Sequence, residues 1–210
     1  PMRFDTIFRI ASMTKPVTSV AVMMLYEEGR FLLDDPVAKF IPGFKEVKVF
    51  SSVEKGKMKL VEPKRPPTIR DLLTHTAGLT YGIFGDTPVD LLYRKAELYT
   101  GTLKEMVEKV AEIPLLYQPG SRWHYSVATD VLAHLVEKVS GLPFDTFLEQ
   151  RLFKPLGMKD TGFYVPKEKL SRFVALYERK KDGSLKIKSI PGKGRYAKPP
   201  RFLSGGGGLV

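Results

Sequence analysis

The sequence predicts a mixed chain, an α/β part joined to an all-helical part, and three patterns lead there. Hairpin-like strand patterns lie on either side of the middle, at 47–63 and 177–189. A run of helical patterns fills most of 64–165. A nearly all-apolar helix follows the first dozen residues. These suggest 1–63 as a piece of the α/β part, 64–165 as a helical subdomain, and 166–210 as a basic hairpin returning toward the first piece.

In chain order, residues 12–28 read as a helix. Ser12 or Thr14 can cap it, Pro16 fits only a first turn, and Gly29 ends it. Val17, Val20, Ala21, Met24 and Leu25 recur at three and four, and Val22 and Met23 widen the stripe almost all round. That pattern predicts a helix buried at the centre of the domain. FLLDDPVAKFIPGF reads as a loop with turns, and VKVFSSVEKGKMKLVEP as a hairpin turning at Lys55-Gly56. TIRDLLTHT starts on a Thr cap and reads as a short helix ended by Gly78. Helical patterns follow at 88–99, 102–113, 126–140 (stopped by Gly141) and 143–153 (stopped near Pro155).

The chain has 210 residues, 43% of them apolar, which is enough for a sizeable core. It has no Cys, so disulfides and thiolate metal sites are excluded. Asn is absent, and Gln occurs only at 118 and 150, a shortage of thermolabile residues that hints at a heat-adapted source. No apolar run reaches the roughly 18 residues that span a bilayer. No signal-peptide pattern opens the chain, which begins abruptly, as if a natural N-terminus lay further upstream. Of the net charge of +11, a surplus of nine lies between Lys167 and Arg201. A solvated hairpin around the Lys-Asp-Gly turn of YERKKDGSLKIKS accounts for it. A nucleic-acid surface is disfavoured because no aromatic residue interrupts the charges from 178 to 195.

Several chemistries lack their residues. There is no G-x-S-x-G elbow and no phosphate-binding G-x-x-x-x-G-K-[ST]. Gly192, Gly194 and Ala197 fit G-x-G-x-x-A, but Pro199 and Pro200 forbid the helix that would hold a pyrophosphate. His75, His124 and His134 have no metal-ligand spacing, so no metal site is expected. His75 is expected at a helix end, bonded to backbone carbonyls.

What remains is Ser12 with Lys15. Residues three apart share a helix face, and the helix N-terminus favours a developing negative charge on the hydroxyl. An amine drawn against an apolar helix loses hydration and becomes a better proton acceptor. Together they form an activated nucleophile without His. The Ser12 N–H can face an oxyanion if a second donor comes from elsewhere. Tyr125, entering the 126–140 helix after a Pro-Gly turn, can share the role of base if a Lys lies close. Packing on Trp123 is the alternative reading of that tyrosine.

IASMTKPVTS, LLTHTAGLTYG, QPGSRWHYSVATDVLAHLVEKVSG, LFKPLGMKDTGF and SGGGGLV, in this order, resemble the serine β-lactamase-like superfamily. More narrowly, they are similar to the class C β-lactamase-related carboxylesterases, the family VIII esterases. The resemblance implies a β-lactamase/transpeptidase-like fold, an antiparallel sheet packed with helices plus a helical subdomain, with the site in the cleft between. It implies Ser12 as the acylated nucleophile, Lys15 as its partner base and Tyr125 as the tyrosine of the Y-x-N or Y-x-x motif. Trp123, Val127 and Asp130 fall beside these, as substrate-contacting or supporting residues. Relatives acting on β-lactams place Asn where Val127 stands; Val127 is expected to make the cleft wall apolar and to favour esters. The family's final Gly-rich strand motif lies downstream of SGGGGLV, so the 210 residues are expected to be the first half to two thirds of a catalytic domain.

The expected function is therefore a serine hydrolase acting on carboxylic esters through an acyl-enzyme, with no metal or organic cofactor. A β-lactamase or D-Ala-D-Ala carboxypeptidase is the alternative within that chemistry. A non-catalytic homologue that binds acyl or peptidoglycan-like ligands is the alternative outside it. The partner in each case is a small molecule, an ester or a β-lactam-like compound.

Overall fold

A computed structural model describes residues 2–210. Six α-helices follow in order: α1 (Thr14–Glu27), α2 (Ile69–Leu73), α3 (Pro88–Lys95), α4 (Leu103–Ala111), α5 (Ala128–Ser140) and α6 (Phe144–Leu148). Strands β1 (Val49–Glu54) and β2 (Lys57–Val61) form one antiparallel hairpin, and β3 (Leu176–Arg179) and β4 (Leu185–Ser189) another. Of the antiparallel sheet that the resemblance implies, the described residues form these two hairpins; the isolated bridges Ile7–Phe173 and Val49–Leu115 are parallel and Pro36–Thr68 is antiparallel. Lys55 and Gly56, at φ +50° and +75°, make the expected tight turn of the first hairpin.

Helix starts follow local chemistry. Thr68, Thr87 and Thr102 each accept a hydrogen bond from the backbone N–H three residues on, and the Asp71, Asp90 and Glu105 carboxylates each accept one from the cap N–H. Each such capping box satisfies two otherwise orphaned donors, and its hydroxyl is typically worth about 1 kcal/mol. Helix ends depart more from expectation. α2 stops at Leu73, before Gly78, because His75 turns the chain with φ +56°. α3 stops at Lys95. α6 gives way to a π-turn over Glu149–Phe153 before Pro155.

α5, rather than α1, is the central helix. Every residue from Ala128 to Val136 is buried, and α1, α2, α4 and α6 pack around it. α1 is one-sided: Thr14, Thr18, Ala21, Val22 and Leu25 face inward, while Val20 is 46% exposed. Apolar periodicity carries no information on depth, so the wide stripe of α1 was a poor guide. α1 is not capped by Ser12 or Thr14 either. A 3₁₀ turn, Ala11–Met13, leads into it, and the Thr14 hydroxyl instead accepts from the Leu209 N–H at 3.1 Å.

That last contact belongs to a wedge. Residues 204–210 seat between α1 and α5 and are buried except for half-buried Gly207. The Thr18 hydroxyl donates to the Gly205 carbonyl at 2.8 Å, and the Ile10 N–H to the Leu209 carbonyl at 3.1 Å. Gly205 is there because nothing larger fits. A Cβ would lie 2.6 Å from the Ala133 Cβ and 2.7 Å from the Thr129 carbonyl oxygen. By contrast Gly141, the left-handed cap of α5 at φ +74°, has open space where a Cβ would go. Gly205→Ala is therefore expected to lower unfolding free energy by about 2–3 kcal/mol, through overpacking against α5. Gly141→Ala is expected to cost about 1 kcal/mol, from backbone conformation alone. Denaturant titration of the two variants checks the order; equal losses would mean that the wedge is not tightly fitted.

Candidate active site

The chain reaches the site through a tight turn. Ala11 takes φ +44°, a left-handed conformation unusual for a residue with a Cβ, directly before Ser12. Strain of this kind persists where the surroundings impose it, and it occurs often at reactive residues. Ser12 is exposed and Lys15, one turn on, is half-buried. The Lys15 ammonium donates to the Ser12 Oγ at 3.3 Å and to the Gly206 carbonyl at 2.7 Å. From the loop before α5, the Tyr125 O–H donates to the same Ser12 Oγ at 2.8 Å. The Lys15 Nζ also lies 4.5 Å from the Tyr125 ring centroid. The three side chains singled out in the sequence thus meet at one oxygen.

Their electrostatics are coupled. Burial resists ionisation of the Tyr125 phenol, but the interactions with Lys15 and Ser12 outweigh it and hold the phenol below its ordinary value. Asp130, on the first turn of α5, is fully buried. Its Oδ1 accepts from the Ser204 hydroxyl at 2.7 Å and from the Gly206 N–H at 2.9 Å. Burial pushes its carboxyl up, and these hydrogen bonds and the Lys15 charge only partly offset that. Asp130 therefore holds Gly206 by its N–H while the carbonyl of the same residue, in the next peptide unit, holds Lys15; Asp130 has no hydrogen bond to Ser12 or Tyr125.

Val127 departs from expectation. It is fully buried at the N-cap of α5, in the main core, and does not line the cleft. The N-cap position turns its side chain under the helix rather than out of it. The cleft wall comes from Tyr81, Ile83, Phe84 and Tyr99, which with Ser12, Tyr125, Arg195 and the 204–207 segment enclose about 300 Å³. Trp123 stands at the rim, 64% exposed and stacked on Tyr125 with 24° between the ring planes. Both readings of Tyr125 therefore hold at once: it packs on Trp123 and reaches Ser12.

His75 also differs. Its ring does not bond backbone carbonyls; its Nδ1 pairs with the Ser126 hydroxyl at 3.2 Å, and the ring lies 5.0 Å from that of Tyr125. Burial, helped by the Lys15 charge, lowers its pKa to about 4, so the ring is neutral at ordinary pH. The residues that sequence reasoning left without a role are Tyr81, Ile83, Phe84, Tyr99, Arg195, Ser204 and Gly206. Tyr81, Ser204 and Gly206 lie inside blocks that carried the resemblance; nothing in the local pattern singled out the others. Among the described residues no group of His, Asp and Glu is placed to hold a metal ion, and no helix is long and apolar enough to cross a membrane.

Known proteins share this arrangement of chain. The Beta-lactamase family model matches residues 1–210. Protein Rv1367c of Mycobacterium tuberculosis is 38% identical over 212 residues, which cover 100% of this chain and 51% of that protein. Esterase EstB of Burkholderia gladioli is 34% identical over 231 residues, covering 100% of this chain and 55% of the esterase. The solved structure of EstCE1, described as a hydrolase with promiscuous acyltransferase activity, superposes with a TM-score of 0.78 at 30% identity, over 100% of this chain and 56% of that one. The chain spans about half the length of the curated relatives it matches. A helical body with small antiparallel hairpins, matched along all 210 residues by one family model and superposed throughout on a solved relative, places this chain in the Beta-lactamase family, with the β-lactamase/transpeptidase-like fold.

Proposed function

We propose that the protein is a serine hydrolase that cleaves carboxylic esters through an acyl-enzyme on Ser12. The observation that carries this reading is the meeting of the Tyr125 hydroxyl and the Lys15 ammonium at the Ser12 Oγ, 2.8 and 3.3 Å away. As phenolate, Tyr125 takes the Ser12 proton while the oxygen attacks the ester carbonyl carbon. The carbonyl π pair moves to its oxygen, which the Ser12 backbone N–H stabilises as a donor in this scheme. Collapse expels the alcohol oxygen, which takes the proton back from Tyr125. Water repeats the sequence on the acyl-enzyme and releases the acid. The Lys15 ammonium, held by Gly206 and 4.5 Å from the Tyr125 ring centroid, lowers the cost of forming the phenolate beside it.

Esters are favoured over β-lactams by two features. The chain contains no Asn to offer an amide to a β-lactam side chain. The cavity wall is aromatic and aliphatic, which suits an acyl or alkyl group. The names of Esterase EstB and EstCE1 agree with this choice.

Ser12→Ala is expected to abolish hydrolysis of short p-nitrophenyl esters and to remove the mass adduct formed with a fluorophosphonate; a variant retaining the parental rate would end the proposal. Tyr125→Phe is expected to lower kcat by about 10²–10⁴, the range for loss of a general base. Because the Tyr125 phenol sits below its ordinary value of 10.0, kcat/KM should rise with pH through a midpoint under that value. The limb should vanish in Tyr125→Phe and persist in His75→Gln, since His75 is already uncharged there; a limb that followed His75 instead would reassign the base. Nitrocefin turnover exceeding ester turnover, in parallel assays of the same preparation, would move the substrate class to β-lactams.

A further inference from the structure

Arg195 comes from the basic segment, yet it reaches the cleft. It stands on a 3₁₀ turn, Arg195–Ala197, that is tied down on several sides. The Val165 N–H donates to the Tyr196 carbonyl at 2.9 Å, and the Ala197 N–H to the Gly194 carbonyl at 3.2 Å. The Tyr196 ring meets Phe173 edge-on at 5.9 Å, with the Arg9 guanidinium 5.6 Å from the same ring. Arg195 is therefore presented by an anchored turn. Its side chain lines the same cavity as Ser12, Tyr99 and Tyr125. It has no ion pair or hydrogen bond with any described side chain, whereas Arg172, in the same basic stretch, is held in two bonds by Asp160 at 2.7 and 2.5 Å.

The charge around the cavity is one-sided. The wall holds a single carboxylate among the described residues, Asp130, which is buried and already bound to Ser204 and Gly206. The accessible charged side chain of the lining is thus Arg195; the Lys15 ammonium lies behind Ser12 and Gly206 and is engaged by both. A guanidinium left unpaired beside aromatic side chains offers a planar fork that fits a carboxylate in two parallel hydrogen bonds.

We propose that Arg195 forms a carboxylate subsite at the mouth of the ester cleft, selecting esters that carry a second, ionised carboxyl group, such as half-esters of short dicarboxylic acids. The ester carbonyl sits at Ser12, an aliphatic spacer lies along Tyr81, Phe84 and Tyr99, and the free carboxylate pairs with Arg195. This assignment rests on the reading of Ser12 as the nucleophile.

Two measurements test it separately. In the first, kcat/KM is compared for mono-p-nitrophenyl glutarate and p-nitrophenyl pentanoate, in the parent, Arg195→Ala and Arg195→Glu. The ratio of anionic to neutral ester should fall about tenfold in Arg195→Ala, the low end for losing a hydrogen-bonded charge, and further in Arg195→Glu. It should also fall with added salt. In the second, Ser12→Ala is titrated with monomethyl glutarate and with dimethyl glutarate, following the fluorescence of Trp123, the chain's single tryptophan, stacked on Tyr125. The monoester should bind about tenfold more tightly, and the preference should disappear when Arg195→Glu is added. A binding preference that depends on Arg195 in a protein that hydrolyses neither ester would overturn the acyl-enzyme reading and leave the subsite standing. Equal affinity for the two glutarates, no response to the monoester, or a preference that survives Arg195→Glu would overturn the subsite.

Discussion

The hold of the Gly206 carbonyl on the Lys15 ammonium, 2.7 Å long, is the contact on which the rest of the site depends. Without it the lysine has rotamer freedom and open solvent ahead of it. With it, Nζ is kept within reach of both Ser12 and Tyr125. A charge-assisted hydrogen bond of this kind contributes roughly 1.5–3 kcal/mol. Its geometry is set from behind by Asp130, whose carboxylate fixes the Gly206 N–H. A buried carboxylate is costly unless its oxygens are satisfied, and here Ser204 and Gly206 satisfy one of them directly. The central helix, the glycine wedge and the reactive turn are thus joined through one residue, Gly206.

The same dependence explains what the sequence revealed and what it hid. Local chemistry was legible. The Thr68 box marked the start of α2, the Lys55-Gly56 turn marked the first hairpin, and Gly141 marked the end of α5, because each is decided within a few residues. That Ser12, Lys15 and Tyr125 belong together was legible too, the first two from their spacing and the third from the resemblance, since its place before a helix left packing on Trp123 open. The role of Gly206 was not, since the partner it serves is 191 residues away. Val127 was misplaced for a related reason. Its position relative to Tyr125 says nothing about which side of the N-cap faces the cleft, and the fold turns it into the core.

Burial depth was the other gap. α1 and α5 both carry broad apolar patterns, and the more uniformly apolar of the two, α1, proved the more exposed. What fits α5 for the centre is that its polar residues find partners there: Asp130 in the wedge, and His134 in Glu137, 2.9 Å away. The basic segment shows the converse. Arg179, Lys180, Lys181, Lys186 and Lys188 are exposed on the β3–β4 hairpin, and the one member that lines the cleft is distinguished only by where an anchored turn sets it down.

The wedge has a consequence for how the molecule is made. Its residues close against α1 across 195 residues of sequence, a contact of very long separation and therefore slow to form. During synthesis the hydroxyl and amine near the N-terminus leave the ribosome early, but the carbonyl that restrains the amine leaves among the last residues of this stretch. A growing polypeptide thus gains its restrained amine only once Gly206 has been made, as a late event relative to the helix that carries Lys15.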